Sequence, residues 1–329
     1  MGATIKDVAK HAGVSTATVS RVLNGCPNVK EHLVKRVRSS IIALRYRPNS
    51  AARSLKTKKT NTIGILVPDI SNPYFMQISK AIEDVLAPHG FSLIFASSDE
   101  ESHKEARLLE VLSEYRADCL VVATAGGNDE LLRELNDKGP PVVLVDRLPQ
   151  ALAEEMDYVV EDNYDASYRL ALHFVTEGAR TFGLIHGPLT ATTAYQRAQG
   201  CHAALAEELI PRANIREFYG DFSKDAGREG VRQLLASDPP DAILALNNSM
   251  AWGAFAELTQ NKFRIGEDIL LGSYGVVETG PLHPCPLPYV DQNPRKMGER
   301  VGDVVCQRLV KRTPGPITYV MQQQLIIDI

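Results

Sequence analysis

Nowhere does this chain hold an apolar run near the roughly twenty residues that a membrane-crossing helix needs, so a membrane protein is not expected. Its five cysteines (Cys26, Cys119, Cys201, Cys285, Cys306) are odd in number, scattered, and never spaced as CxxC. That usage disfavours a disulfide framework or a zinc site and fits reduced thiols in a cytosol. No apolar signal region opens the chain, since a charged helical pattern begins at once, and an intracellular, soluble protein is expected.

Enzyme signatures are also missing. The sequence has no GxxxxGK[ST] phosphate loop, no GxGxxG after a strand, no GxSxG elbow and no HExxH. The eight histidines show no ligand spacing, so neither a metal nor a cofactor is expected. Asp69, Asp99 and Asp146 fall at the ends of candidate strands, where a hydroxyl-binding carboxylate and a general base look alike. A carbohydrate-acting α/β enzyme with a nucleic-acid-binding arm is therefore the competing reading.

What the chain does have starts at once. Thr4–Gly25 reads TIKDVAKHAGVSTATVSRVLNG. Thr4 and Asp7 form a capping pair for a first helix with Ile5, Val8 and Ala9 on one face. Gly13 supplies the positive φ of a tight turn. Ser15 caps a second helix with Val14, Val19, Val22 and Leu23 as its apolar stripe. Its other face presents Thr16, Ala17, Thr18, Ser20 and Arg21, small or polar groups suited to base edges and phosphates. The pattern alone fits an ordinary helical hairpin about as well.

Charge decides between the two. Residues 1–60 hold thirteen Lys and Arg against Asp7 and Glu31, a net +11; the whole chain is −4, which leaves −15 for residues 61–329. A basic arm on an acidic body is the footprint of a polyanion-binding module. A third helix is predicted over Val29–Leu44, capped by Asn28. Arg47-Pro48-Asn49 then breaks the chain. Ser50–Lys56 has the length of one or two helical turns, too short to be stable alone, and Thr57–Asn61 reads as a linker.

From Thr62 onward short apolar strands alternate with longer helices. The strand candidates are Ile63–Val67, Phe91–Ala96, Cys119–Ala123, Val142–Val145, Tyr158–Val160, Phe182–Ile185, Ile243–Leu246, Ile269–Leu271 and Tyr289–Val290. This alternation gives parallel sheets covered on both faces, and the run is long enough for two. Glu161–Asn163 is the expected crossing between them. A ligand is expected in the cleft beyond the strand ends.

The N-terminal string with YRPNSAARSL (Tyr46–Leu55) closely resembles the lac and galactose repressor family of bacterial transcription regulators. IGILVPDISNPYF (Ile63–Phe75), VDR (Val145–Arg147), Gly187-Pro188-Leu189 with Arg197 and Gly200, GDF (Gly220–Phe222) and NNSMAWGA (Asn247–Ala254) follow in the family's order, so the likeness spans essentially the whole chain. It implies a cytoplasmic, nucleoid-associated regulator, most simply a repressor of carbohydrate catabolism genes. The architecture would be an all-α helix-turn-helix domain on a periplasmic-binding-protein-like α/β core of two doubly wound parallel-sheet subdomains. Implied boundaries are 1–46 for the helix-turn-helix and 47–61 for hinge helix and linker. The core would divide into 62–161 with about 292–320, and 162–291 with about 321–329. Implied partners are a pseudo-palindromic double-stranded operator, a small effector and a second copy of the chain. Since the sequence stops just past QQQLIIDI, without the extra heptad helix of tetrameric members, a dimer is expected.

Carried over by position, Thr16 and Ala17 would read bases and Arg21 would contact a base or phosphate. Thr4, Ser20, Asn24 and Asn49 would hold phosphates, and Leu55 would wedge into the minor groove. Ser15, Ala52 and Lys56 complete the implied DNA contacts. Effector contacts would come from Asp146, Arg197, Phe222, Asn247, Asn248 and Gln292, with Tyr74 and Phe75 lining the first-subdomain side. Two positions that are often Asp in sugar-binding members are Asn248 and Gly275 here, while Arg197 remains. Fewer carboxylates beside a guanidinium suggest a small anionic effector such as a sugar acid.

Overall fold

Residues 3–23, 25–46, 59–277 and 287–327 are described by the computed structural model. The chain folds as two units, Met1–Thr60 and Asn61–Ile329.

The first unit holds α1 (Ile5–Ala12), α2 (Thr16–Leu23) and α3 (Glu31–Ala43). Val8, Ala9, Ala12, Val19 and Val37 make its small core, with Val14, Val22, Leu23 and Ile41 packed around them. So few apolar side chains need help from polar ties. His11 Nδ1 meets Ser40 Oγ at 2.9 Å, and Ser40 Oγ donates to the Arg36 carbonyl. The third helix starts two residues later than predicted: Pro27 and Asn28 are spent in a turn, so Asn28 does not cap it, and Lys30 enters the helix without a side-chain cap.

The second unit contains two six-stranded sheets. The first is built from β1 (Thr62–Val67), β2 (Ser92–Ser97), β3 (Cys119–Val122), β4 (Val142–Asp146), β5 (Asp157–Glu161) and β11 (Thr318–Met321). Their order is β11-β5-β4-β3-β1-β2, parallel throughout. The second comprises β6 (Phe182–His186), β7 (Ile215–Tyr219), β8 (Ala242–Ala245), β9 (Leu270–Tyr274), β10 (Tyr289–Asp291) and β12 (Gln324–Ile326). Its order is β12-β10-β9-β8-β6-β7, and only β12 runs antiparallel.

Alternation along the strands separates two cores per sheet. Ile63, Ile65 and Val67 of β1 face α4 (Pro73–Leu86) and α11 (Pro294–Cys306). Leu66 faces the opposite side, with α5 (Ser102–Glu114) and α6 (Asp129–Lys138). In the second sheet Phe182 and Leu184 of β6 meet α7 (Asn163–Thr176) and α8 (Thr192–Glu207), and Ile185 meets α9 (Lys224–Leu234) and α10 (Asn248–Gln260).

Among the described residues the chain passes between the lobes three times: at Glu161–Asn163, then between Asp291 and Pro294, and between Met321 and Gln324. The second passage carries α11 back to the first lobe, where Met297, Val301, Val304 and Val305 fill the core against Ile78, Ile82 and Leu86. Of the three strands outside the nine predicted runs, β12 falls in QQQLIIDI, and β7 and β11 have no counterpart in the sequence reading. Both lie at sheet edges, where half-exposed positions mix with charged and polar residues. The last helix, α11, is α-helical to Cys306 and ends in a π turn over Gln307–Lys311.

Candidate functional site

In the first unit the capping pair forms as the sequence demands. Thr4 N–H donates to Asp7 Oδ2 at 2.8 Å, and Thr4 Oγ1 accepts from the Asp7 amide. Hydrogen bonds from Thr4 hold the Asp7 carboxyl below its ordinary value. Gly13 adopts φ 58 and ends α1, a backbone state that suits glycine. Ser15 Oγ accepts from the Thr18 amide at 3.1 Å and starts α2, so its oxygen serves the cap. Val19 turns inward with no exposure, which leaves Thr16, Ala17 and Arg21 exposed together and Ser20 half-buried beside them. Asn24, Asn49, Ala52, Leu55 and Lys56 lie outside the described residues, as does the Ser50–Lys56 segment.

In the second unit a cavity of about 260 Å³ opens between the two lobes. This lies at the small end of ligand pockets, which run from about 300 Å³ upward. Tyr74, Phe75, Asp146, Arg197, Phe222, Asn247, Asn248 and Gln292 all line it. The cavity thus brings together every residue assigned to effector contact on sequence.

Beneath it sits a residue that sequence reasoning noted only as a crossing point. Glu161 is buried at the end of β5. Tyr74 Oη lies 3.0 Å from Asp146 Oδ1 and 3.1 Å from Glu161 Oε1 and has one proton to share between them. Tyr274 Oη and Gln292 Nε2 donate to Glu161 Oε2 at 3.2 and 3.1 Å. Burial, then the nearby Asp146 charge, push Glu161 up to about 7 against the opposing pull of Arg197. Burial also raises Asp146, opposed by Arg197 and Arg147. Asp146 itself sits at φ 66, a strained state for a non-glycine residue of the kind that clusters at binding sites.

Arg197 is enclosed. Nε donates to Asn163 Oδ1 at 2.7 Å and Nη1 to the Leu246 carbonyl at 3.0 Å; the guanidinium lies 3.7 Å over the Tyr274 ring and 3.9 Å from Glu161. Arg147, which the sequence singles out only within the VDR motif, forms a two-pronged pair with Glu100 at 2.6 and 2.7 Å and covers Phe222. Its Nε is buried without a hydrogen-bond partner at the cavity wall.

Asn247 caps α10, its Oδ1 accepting from the amides of Ser249 and Met250. Asn248 meets Asn72 from the other lobe. Gly275 has φ 99, and a Cβ there would stand 2.5 Å from Gln292 Oε1 and 3.0 Å from Asn248 Cβ. An Asp at 275 would therefore collide with both. Glycine lets these two amides fill the corner.

Losing acids at 248 and 275 does not make the cleft cationic, because Asp69, Asp99, Glu100, Asp146 and Asp221 line it. Both guanidiniums already face carboxylates.

Residues 60–327 match the family model described as periplasmic binding proteins and sugar binding domain of LacI family, and residues 4–49 match bacterial regulatory proteins, lacI family. The chain is 32% identical to the HTH-type transcriptional repressor PurR of Mannheimia succiniciproducens, over 99% of this chain and 97% of that protein. Among solved structures it superposes on the lac repressor bound to ONPG in its repressed state with a TM-score of 0.86 at 26% identity, covering 99% of this chain and 98% of that one. A complex of the regulator CelR with cellobiose gives a TM-score of 0.73 at 26% identity and the same coverage.

Proposed function

Because this chain belongs to the LacI family of bacterial regulatory proteins, DNA-binding transcription regulators and not enzymes, we propose that its cleft takes a neutral, hydroxyl-rich effector of about monosaccharide size. The observation that carries this reading is the charge at the cavity wall: five carboxylates against two guanidiniums that are already paired. Carboxylates are acceptors only and suit hydroxyl donors, whereas a second anion would meet repulsion. The Arg147 Nε–H, which makes no hydrogen bond and lies 3.8 Å from Asp146 Oδ2, offers a donor to one ligand oxygen, and Phe75 and Phe222 offer apolar faces to its CH groups. The similarity to a regulator solved with cellobiose supports the same class.

Effector occupancy would change the closure of two subdomains, 62–161 with 292–320 and 162–291 with 321–329, and so the affinity of a homodimer for a pseudo-palindromic operator in the bacterial cytoplasm. Thr16, Ala17 and Arg21 would face the bases. For the dimer, the support is edge strand β2, which exposes Ile94 at 41% and Phe95 at 47%. Bare apolar edges of this kind are ordinarily covered by a partner.

Calorimetric titration with neutral sugars, their matched sugar acids, sugar phosphates and purine bases tests the effector class. A neutral sugar at 100 times its Kd adds roughly 2.7 kcal/mol to stability. Tighter binding of an acid, a phosphate or a purine base overturns the assignment.

A further inference from the structure

The second sheet gathers three metal-ligating side chains at its β6–β7 edge, away from the residues that line the cleft. His186 ends β6, Glu217 lies on β7 and His202 on α8. No sequence spacing marks them, because the ligands come from three separate elements. The parallel register sets Leu184 beside Glu217 and His186 beside Tyr219. Strand alternation then points His186, Glu217 and Tyr219 to the face that α8 covers, where His202 meets them.

The ligand atoms of His186, His202 and Glu217 all lie within 4.8 Å of one another. Nε2 of His186 and Nε2 of His202 are each 3.2 Å from Glu217 Oε2. A tetrahedral ion with bonds of about 2.0–2.2 Å separates its ligand atoms by roughly 3.3–3.5 Å, so the three need only small side-chain shifts to share one ion.

A second feature sets this cluster apart from an ordinary surface ion pair. His186 is wholly buried, and neither of its ring nitrogens makes a hydrogen bond, despite the short approach to Glu217. A buried imidazole whose nitrogens make no well-aligned hydrogen bond is a costly arrangement that calls for a reason. Tyr219 Oη donates to Glu217 Oε2 at 2.6 Å and orients that carboxylate, as outer partners of metal ligands do. Arg212 pairs with the other carboxylate oxygen, Oε1, from a largely exposed position, so that Oε2 faces Tyr219 and the two imidazoles. His202 is about one-third exposed, which gives an ion a way in.

We propose that His186, His202 and Glu217 form a site for one divalent transition-metal ion with nitrogen-ligand preference, such as Zn²⁺ or Ni²⁺. Two imidazoles and one carboxylate leave a fourth position for water. This donor set selects against Ca²⁺ and Mg²⁺, which take oxygen ligands.

The test uses the untagged full-length chain, freed of metal by chelation and titrated with ZnCl₂ by calorimetry and with CoCl₂ by visible absorption. Expected is one ion per chain, with the d–d bands of four-coordinate Co²⁺. His202→Ala, at a half-buried position, is expected to fold normally by circular dichroism and to weaken binding at least about 100-fold. Glu217→Gln is expected to do the same, and Tyr219→Phe to cost about 10-fold through the outer partner alone. His173→Ala, on α7 and outside the cluster, controls for loose binding to surface imidazoles and is expected to bind as the parent does. Binding below one equivalent, or unchanged affinity in His202→Ala, overturns the proposal.

Discussion

Asn72 and Asn248 clasp each other across the cleft: Asn72 Nδ2 donates to Asn248 Oδ1 at 3.3 Å, and Asn248 Nδ2 donates to Asn72 Oδ1 at 3.1 Å. Asn72 cannot turn its amide over, because its Oδ1 also accepts the Tyr74 amide as the cap of α4. The orientation of Asn248 is thereby fixed as well. Two lobes meet through a matched pair of donors and acceptors that needs no ligand.

Asn248→Asp breaks the match. The carboxylate still accepts from Asn72 Nδ2 but sets a second acceptor against Asn72 Oδ1. The expected cost is about 1 kcal/mol, the size of one net hydrogen bond, read as a lower midpoint in a denaturant melt. An unchanged or higher midpoint contradicts the clasp.

Glu161 makes stability depend on pH in an unusual direction. Its folded value of about 7 lies above the ordinary 4.5, so the folded state holds the proton more tightly than the unfolded chain. Its contribution is fully present below about 4.5 and is lost as pH rises through about 7. Glu161→Gln has no proton to lose. The melting temperature of the variant minus that of the parent should therefore climb between these values and level off above them. A flat difference across that range excludes the raised value.

Arg197→Ala removes a residue that the family likeness assigns to effector contact. The structure adds a stability loss, because the substitution strands Asn163 Oδ1, the Leu246 carbonyl and the Glu161 charge in a buried site. About 3–5 kcal/mol is the usual cost of removing one partner from such a network. Equilibrium unfolding of the variant measures it, and parent-like stability would make Arg197 a ligand contact only.

On the DNA-binding side, Arg21→Ala should weaken operator binding by on the order of 1–3 kcal/mol if the contact to guanine is two-pronged. The log–log salt dependence of the parent should have a slope near −0.9 for each phosphate neutralised. Fluorescence anisotropy with a labelled operator reads both. A salt-independent affinity would remove the electrostatic reading of the +11 arm.

At the β2 edge, Phe95→Lys places a charge where a partner's apolar surface is expected. Sedimentation velocity should show the variant shifted toward monomer at concentrations where the parent is dimeric. A variant that sediments as the parent does would place the dimer contact elsewhere.

Elements buried on both faces were the legible ones. β1, β3, β4, β6 and β8 are short apolar runs. Edge strands hid, because IREFY and TYVM mix charge and polarity with half-exposed apolar positions. A helix start set by a cap rather than by apolar spacing was also hidden: Asp162 accepts the Asp165 amide and admits Asn163 to α7. The cavity wall could be placed by likeness to a family, residue by residue. Glu161 could not, since its partners Tyr74, Tyr274 and Gln292 are 87, 113 and 131 residues away and converge only once both lobes are folded.

The triple passage between lobes also sets an order of events during synthesis. The first lobe lacks α11 and the edge strand β11 until residues 294–321 have emerged, although the rest of its sheet is made before residue 162. Until then Ile78, Ile82 and Leu86 face an unfilled groove, because Met297, Val301, Val304 and Val305 have not yet been added. Domains usually fold one after another from the N-terminus as the ribosome delivers them. Here the lobe that is begun first must wait for the one inserted within it, and the nascent chain carries a sticky, half-built sheet for most of its translation. Chaperone demand should accordingly track the interval between residues 162 and 294, and a ribosome stalled there holds a chain in which neither lobe is complete.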